Sequence, residues 1–238
     1  MEQTKKAGRI RVIVCGAMGR LGSNLCRMID KSGDFELSAA IDIKEGKNIK
    51  HPSFYSESLE SSDISIDFSA PDAAVSFAEI SAAHGKPIVI ATTGLSRNQM
   101  KKLEKFSKRA PVFFSPNMSS FVILLVALSK ITAAKLSSTD ISIVETHHKK
   151  KKDMPSGTAL LLKKEILKTG KRNIEVQSIR AGDIRGEHTV IFAGQGERIE
   201  LVHRAQSIDI FALGALRAAK WLLSKGPGFY NYFDIFSL

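Results

Sequence analysis

Two cysteines, Cys15 and Cys26, are all that 238 residues contain. Cys15 falls at the end of an apolar run and Cys26 in the helical pattern after it, so neither points to a disulfide framework or a zinc site. A reducing, cytoplasmic setting is the expectation. No His, Cys or carboxylate set has zinc-like spacing, so no metal is expected. Long apolar runs are missing too. The most apolar stretch, residues 121–128, is much too short to cross a bilayer. Residues 1–8 are polar and lack the apolar core of a signal peptide, and no internal repeat is evident. Acidic residues are in deficit, 24 against 35 Lys+Arg, which leaves a net charge of +11. That balance favours anionic partners: nucleic acid, a phosphate-bearing cofactor or a dicarboxylate. Aromatics make up only 7%, and none interleave with the one long basic block, residues 149–152. The stacking platform of a single-strand binder is therefore absent. With 43% hydrophobic and 25% charged residues, the chain is not of the disordered class and can build one large or two small domains.

What is present centres on residues 144–159, VETHHKKKKDMPSGTA. Residues 140–144 alternate polar and apolar at the period of a strand. Leu160, Leu161, Leu162, Ile166 and Leu167 then give a helical stripe behind a Pro-Ser-Gly-Thr start. Between them lie His147, His148 and four lysines. A strand-to-helix turn with proton donors, fixed positive charge and the free N–H groups of Gly157 and Thr158 suits a small anion. A lysine run alone more often means a solvated loop or a nucleic-acid patch. Here the specificity of Asp153-Met154-Pro155-Ser156-Gly157-Thr158 favours an active site.

Upstream, residues 9–15 (RIRVIVC) read as a buried parallel strand. Gly16-Ala17-Met18-Gly19-Arg20-Leu21-Gly22 opens a helix, and residues 35–41 form a second strand ending at Asp42. This is a βαβ unit with glycines at its first turn and an acid about 20 residues on, the arrangement of a dinucleotide site. Asp42 favours an unphosphorylated ribose, while Lys44 and Lys47 are close enough to reach a 2′-phosphate; NADH or NADPH is the expected cofactor. Further strand–helix pairs follow to residue 115, with Ala91, Thr92, Thr93 and Ser115, Pro116, Asn117, Met118 at strand C-termini. A Rossmann-type doubly wound parallel sheet is predicted. His51 and His84 look peripheral. A long helix over 120–136 leaves that domain. Strands over 174–180, 188–193 and 198–205 predict a second α+β domain with an open mixed sheet. A helix over 208–223 could return to the first domain. Residues 1–117, completed by 212–238, are expected to bind the dinucleotide, and 118–211 the substrate and partner subunits.

Several segments carry a family resemblance: residues 14–22, 91–94, 115–119, Glu145-Thr146-His147-His148 through 153–159, 179–190 (IRAGDIRGEHTV), and 211–215 with Trp221. The chain resembles the 4-hydroxy-tetrahydrodipicolinate (dihydrodipicolinate) reductases of lysine and diaminopimelate biosynthesis. The resemblance implies His147 as proton donor and Lys151 as a second one. It implies His148, Lys151, Ser156, Gly157 and Thr158 at the carboxylates of a dicarboxylate substrate. Gly16, Ala17, Met18, Gly19, Arg20, Leu21, Asp42, Ala91 to Thr93 and Ser115 to Met118 would face the nucleotide, in a homotetramer. Met118 stands where the family commonly has an aromatic, and the segment between Asp42 and Asp63 is short. Two rival readings make different demands on the sequence. A non-catalytic dinucleotide sensor with a nucleic-acid-binding loop would need the lysines but not His147. A thioester-forming semialdehyde dehydrogenase would need a nucleophilic cysteine in the second domain, and the sequence has none there.

Overall fold

The computed structural model describes residues 8–170 and 173–237. They form two compact units, one running to Met118 and resuming at Phe211, the other Ser119–Ile210. The chain begins with β1 (Ile10–Cys15), α1 (Arg20–Asp30), β2 (Phe35–Ile41), β3 (Ile49–Lys50) and α2 (Tyr55–Glu60). It continues through β4 (Ile64–Asp67), α3 (Pro71–Ala83), β5 (Ile88–Ile90), α4 (Arg97–Phe106) and β6 (Pro111–Phe114). The second unit holds α5 (Ser120–Lys135), β7 (Asp140–His147), α6 (Gly157–Leu167), β8 (Glu175–Arg180), β9 (Glu187–Ala193) and β10 (Arg198–Arg204). The chain returns with α7 (Asp209–Leu222), β11 (Gly228–Tyr230) and α8 (Tyr232–Phe236).

In the first unit, seven strands lie in the order β11-β6-β5-β4-β1-β2-β3, all paired parallel. Val12, Ile13, Val14, Ile64, Ile66, Ile88, Val89 and Ile90 are fully buried. Helices cover both faces of such a sheet, so β5 is a continuous apolar run, while β4 buries Ser65 and Asp67 along with its isoleucines. Each of these apolar side chains contributes about 1.5–3 kcal/mol through burial. Pro71 starts α3, and Ser96 starts α4 through a capping box with Gln99. This is the Rossmann-type sheet expected from the glycine-bearing βαβ pattern.

The second unit has a four-stranded mixed sheet, β10-β9-β7-β8, in which only β7 and β8 run parallel. Strict alternation along β7 buries Ile141, Ile143, Glu145 and His147. The cross-strand register sets His188, Val190 and Phe192 of β9 beside them. α5 and α6 pack against this inner face. The outer face carries Val144, Thr146 and Ile191 half-buried, with Ile179 and Val202 exposed.

Three features depart from the sequence expectation. β7 extends past residue 144 to His147, so the first histidine is a strand residue, not a loop residue. Residues 43–63 hold a short strand and a helix, β3 and α2. The edge strand β11 pairs with β6.

Candidate active site

The second unit gathers its chemistry around one carboxylate. Glu145 is fully buried, and its register partners are Ser178 on β8 and His188 on β9. Arg180 grips it with both terminal nitrogens, Nη2 to Oε1 at 2.7 Å and Nη1 to Oε2 at 2.9 Å. The same Nη2 donates to the Asp153 carbonyl at 2.7 Å, and Nη1 donates to that of Ile179. The backbone N–H of Ser156 donates to Oε1 at 3.1 Å. His147, two residues along the same strand face, hydrogen-bonds Oε2 through Nδ1. Its other nitrogen, Nε2, lies against the backbone of Gly186. A Cβ there would stand 2.9 Å from Nε2, and φ of +154° disfavours any other residue.

Ser156 caps α6, its Oγ accepting the Ala159 N–H at 3.2 Å and bonding His188 Nε2 at 3.0 Å. Gly157 and Thr158 form the first turn beyond it, and the Gly157 backbone is exposed. Loop residues 148–155 bring Lys151 in, its Nζ 2.8 Å from Asp153 Oδ1. His148 is half-buried in the same loop. A row of histidines crosses the sheet, with the ring of His188 edge-on to His147 at 5.2 Å and tilted against the next, His203, at 6.4 Å.

Burial pushes Glu145 up, but hydrogen bonds from Arg180, Ser178 and His147 outweigh it and bring its pKa to about 2. It is a fixed anion. Burial pulls His147 below its ordinary value. Glu145 opposes that pull, and Lys151 and Arg180 add to it. His188 is pushed down to about 3 by burial and by its histidine neighbours, so it is neutral. A histidine with Nδ1 engaged by a carboxylate presents Nε2 to a reactant, the arrangement of an oriented acid or base.

The first unit supplies a nucleotide cradle. Gly16 adopts φ of +76°, and a Cβ on it would lie 2.6 Å from the Phe68 carbonyl oxygen. A Cβ at Gly22 would stand 2.0 Å from Gly16 O, so Gly22 is required by the turn itself. α1 starts at Gly19 without a capping side chain or an acid in its first turn. Its positive end suits a pyrophosphate, and a dinucleotide fits these residues. Asp42 accepts the Met18 N–H at 2.9 Å and the Lys44 N–H at 3.0 Å. Ala17 is buried, Leu21 half-buried and Arg20 exposed. At the end of β4, buried Asp67 accepts Thr92 Oγ1 at 2.6 Å and the Ser69 N–H at 3.2 Å. Burial pushes its pKa up to about 6 against these bonds. Ala91 is buried and Thr93 exposed after β5. After β6, Ser115 Oγ donates to the Asn117 carbonyl, Pro116 is exposed, and buried Met118 accepts the Tyr232 hydroxyl.

Comparison with known proteins turns on both halves. The model of the dihydrodipicolinate reductase N-terminus matches residues 10–118, and that of the C-terminus matches 122–236. The chain belongs to the dihydrodipicolinate reductase family. It is 41% identical to the 4-hydroxy-tetrahydrodipicolinate reductase of Aquifex aeolicus, over 96% of this chain and 99% of that one. Identity to the reductase of the same name from Desulfotalea psychrophila is 40%, over 96% and 98%. Among solved structures, the dipicolinate-bound dihydrodipicolinate reductase of Paenisporosarcina sp. TG-14 shares the fold. Its TM-score is 0.83 at 18% identity, covering 96% of this chain and 99% of that one. These relatives give no support to the nucleic-acid-binding sensor. Among the described residues, no group of three or more His, Cys, Asp or Glu could hold a metal, and no helix is long and apolar enough to cross a membrane.

Family membership accounts for the motif, but the motif left several residues without a role. Glu145 is the first letter of that motif, and the i, i+2 spacing on a strand is the signal that it shares a face with His147. Arg180, Gly186 and His188 lie in the segment 179–190, and only the strand register brings them to His147. Asp67 carries no sequence signal beyond its place at the end of β4.

Proposed function

We propose that the chain catalyses the nicotinamide-dependent reduction of 4-hydroxy-tetrahydrodipicolinate to tetrahydrodipicolinate, with His147 as the proton donor. The observation that carries this reading is the match of both family models, end to end. Loss of the 4-hydroxyl as water leaves a conjugated, imine-bearing ring, to which the reduced nicotinamide, when bound, would supply hydride. Negative charge then develops at the far end of the conjugated system and must be met by a proton. His147 holds that proton on Nε2, because Nδ1 is engaged by Glu145. Lys151 serves as a second donor and as a fixed cation for a substrate carboxylate. The Gly157 and Thr158 end of α6 offers backbone donors and the helix dipole to a carboxylate, as does His148 from the preceding loop. Ser156 contributes through the helix start it caps, since its N–H and Oγ are both used internally.

In the nucleotide unit, Gly16 to Leu21 would receive the pyrophosphate. Asp42 would take the ribose, with Ala91 to Thr93 and Ser115 to Met118 lining the nucleotide from the neighbouring strand ends. Asp42 favours NADH; Lys44 and Lys47 leave NADPH usable. The half-open outer face of the second sheet, with Ile179 and Val202, supports a homotetramer assembled through that unit. The biosynthetic reaction and the two free cysteines fit the cytoplasm.

The test is turnover of freshly generated substrate with NADH and NADPH in parallel. His147→Gln and Lys151→Ala are each expected to cut turnover about 10²-fold or more while nucleotide affinity stays near wild type. Wild-type turnover in either variant would remove that residue from the mechanism. The ratio of the two wild-type rates decides the cofactor.

A further inference from the structure

We infer that Glu145 is the positioning residue of this site, one carboxylate that sets both the proton-donating histidine and the helix start that receives the substrate carboxylate. The inference rests on the reductase reading and deepens it. Besides the Ser178 side chain, four donors converge on the two oxygens: His147 Nδ1, the Ser156 N–H and both terminal nitrogens of Arg180. Each fixes a different part. The bond to Nδ1 selects the tautomer that leaves Nε2 to exchange the reacting proton, and it holds the ring so that Nε2 lies against the Gly186 backbone. The bond from Ser156 pins the first residue of the cap, hence the direction of the α6 N–H groups. Arg180 extends the reach to the Asp153 carbonyl and so holds the loop that carries Lys151.

A purely structural ion pair is the competing explanation, since a buried Arg–Glu pair is by itself weak evidence of function. Two observations argue against it. The pair's remaining acceptor capacity is spent on His147 and on the α6 start rather than on core backbone. In addition, the groups facing His147 from the neighbouring elements are Glu145 on its own strand, Arg180 on β8, His188 on β9 with His203 beyond it on β10, and Lys151 and Asp153 from the following loop. Of these, only Glu145 is hydrogen-bonded to the ring, and the two carboxylates favour the imidazolium. Arg180 and Lys151 oppose it, and His188 is neutral. Removing the Glu145 carboxylate therefore lowers the affinity of His147 for its proton, and the activity that needs a protonated His147 is lost at a lower pH.

The experiment uses Glu145→Gln, Glu145→Asp and Arg180→Lys in the full chain, with three readouts. The first is the pH dependence of kcat/KM. The second is the affinity for dipicolinate by calorimetry. The third is the His147 tautomer, from nitrogen NMR of labelled histidine assigned with His147→Gln. For Glu145→Gln, the high-pH fall in kcat/KM is expected to move down by about one unit. Dipicolinate affinity should drop about tenfold, on the scale of a lost charge-assisted bond, and the Nδ1–H tautomer should give way to Nε2–H. Glu145→Asp keeps a carboxylate and should restore the pH limb more than the affinity. Arg180→Lys should lose affinity with a smaller shift of the limb. If Glu145→Gln keeps the wild-type tautomer, or changes the tautomer without changing dipicolinate affinity, the common-junction role is wrong. If it fails to melt cooperatively, the tautomer and affinity of Glu145→Asp decide, and two wild-type values overturn the proposal. A wild-type enzyme without turnover, whose tautomer and dipicolinate affinity still respond to Glu145, would sink the reductase reading and leave this one standing.

Discussion

Asp67 and His188 are both buried and titratable, and they respond to acid in opposite directions. Burial holds the folded pKa of Asp67 near 6, above its ordinary 3.8. The folded chain therefore keeps that proton better than the unfolded one. Stability from Asp67 is present at acid pH and lost as pH rises from about 4 through about 6, on the order of 3 kcal/mol in all. His188 sits near 3 against an ordinary 6.5. Its neutral form is the one that folds, so its contribution is lost as pH falls below about 6.5. The two lie in different units. Asp67→Asn keeps an acceptor for Thr92 or Ser69 while removing the ionisation. Its melting temperature is expected to exceed wild type at about pH 7 and to converge with it near about pH 4. An equal offset at both pH values, followed by calorimetry, would mean that the carboxylate's charge is not what destabilises.

The element that matters most for function is the pairing of β7 with α6. Ser156→Ala removes the Oγ that caps α6 but keeps the N–H that reaches Glu145. A lost cap costs about 1 kcal/mol, which corresponds to KM for the substrate rising about fivefold, with kcat moved less. Steady-state kinetics check this, and an unchanged KM would mean that the α6 start does not touch substrate. Legibility differs sharply between elements. The doubly wound sheet could be read from residues 9–115 because β1 and β5 are largely aliphatic runs between turn residues, and strand and helix patterns alternate at short spacing, a strong local signal. The extent of β7 could not, because Glu-Thr-His has little strand preference and is held there by pairing with β8 and β9. β3 has two residues, too few for any period to register. β11 is built from Gly-Phe-Tyr behind a Gly-Pro, a segment that local rules assign to a loop. Its strand form comes from β6, which it pairs with more than a hundred positions earlier in sequence. The same limit applies to the site: His147 and Lys151 carry an evident motif, whereas Arg180, Gly186 and His188 depend on register.

At the scale of the whole molecule, the second sheet has one face packed by α5 and α6 and another that is half-open. Ile179 and Val202 are 48% and 41% exposed there, beside the pairs Arg204–Glu187 and Arg198–Glu200. Apolar positions ringed by charge are typical of surfaces that meet another subunit. Val202→Asp places a charge among them and is expected to convert the wild-type assembly to a smaller species in sedimentation velocity. If wild type already sediments as a single chain, the tetramer is excluded.

The first unit is split in sequence, its sheet closed by β11 after the whole second unit has intervened. A ribosome making this chain therefore releases a foldable inner unit before the outer one can be finished. Until β11 emerges, β6 is paired only with β5 and leaves its other hydrogen-bonding edge exposed. The stretch of greatest aggregation risk during synthesis is thus not the lysine-rich loop but the interval between the end of α5 and the arrival of β11.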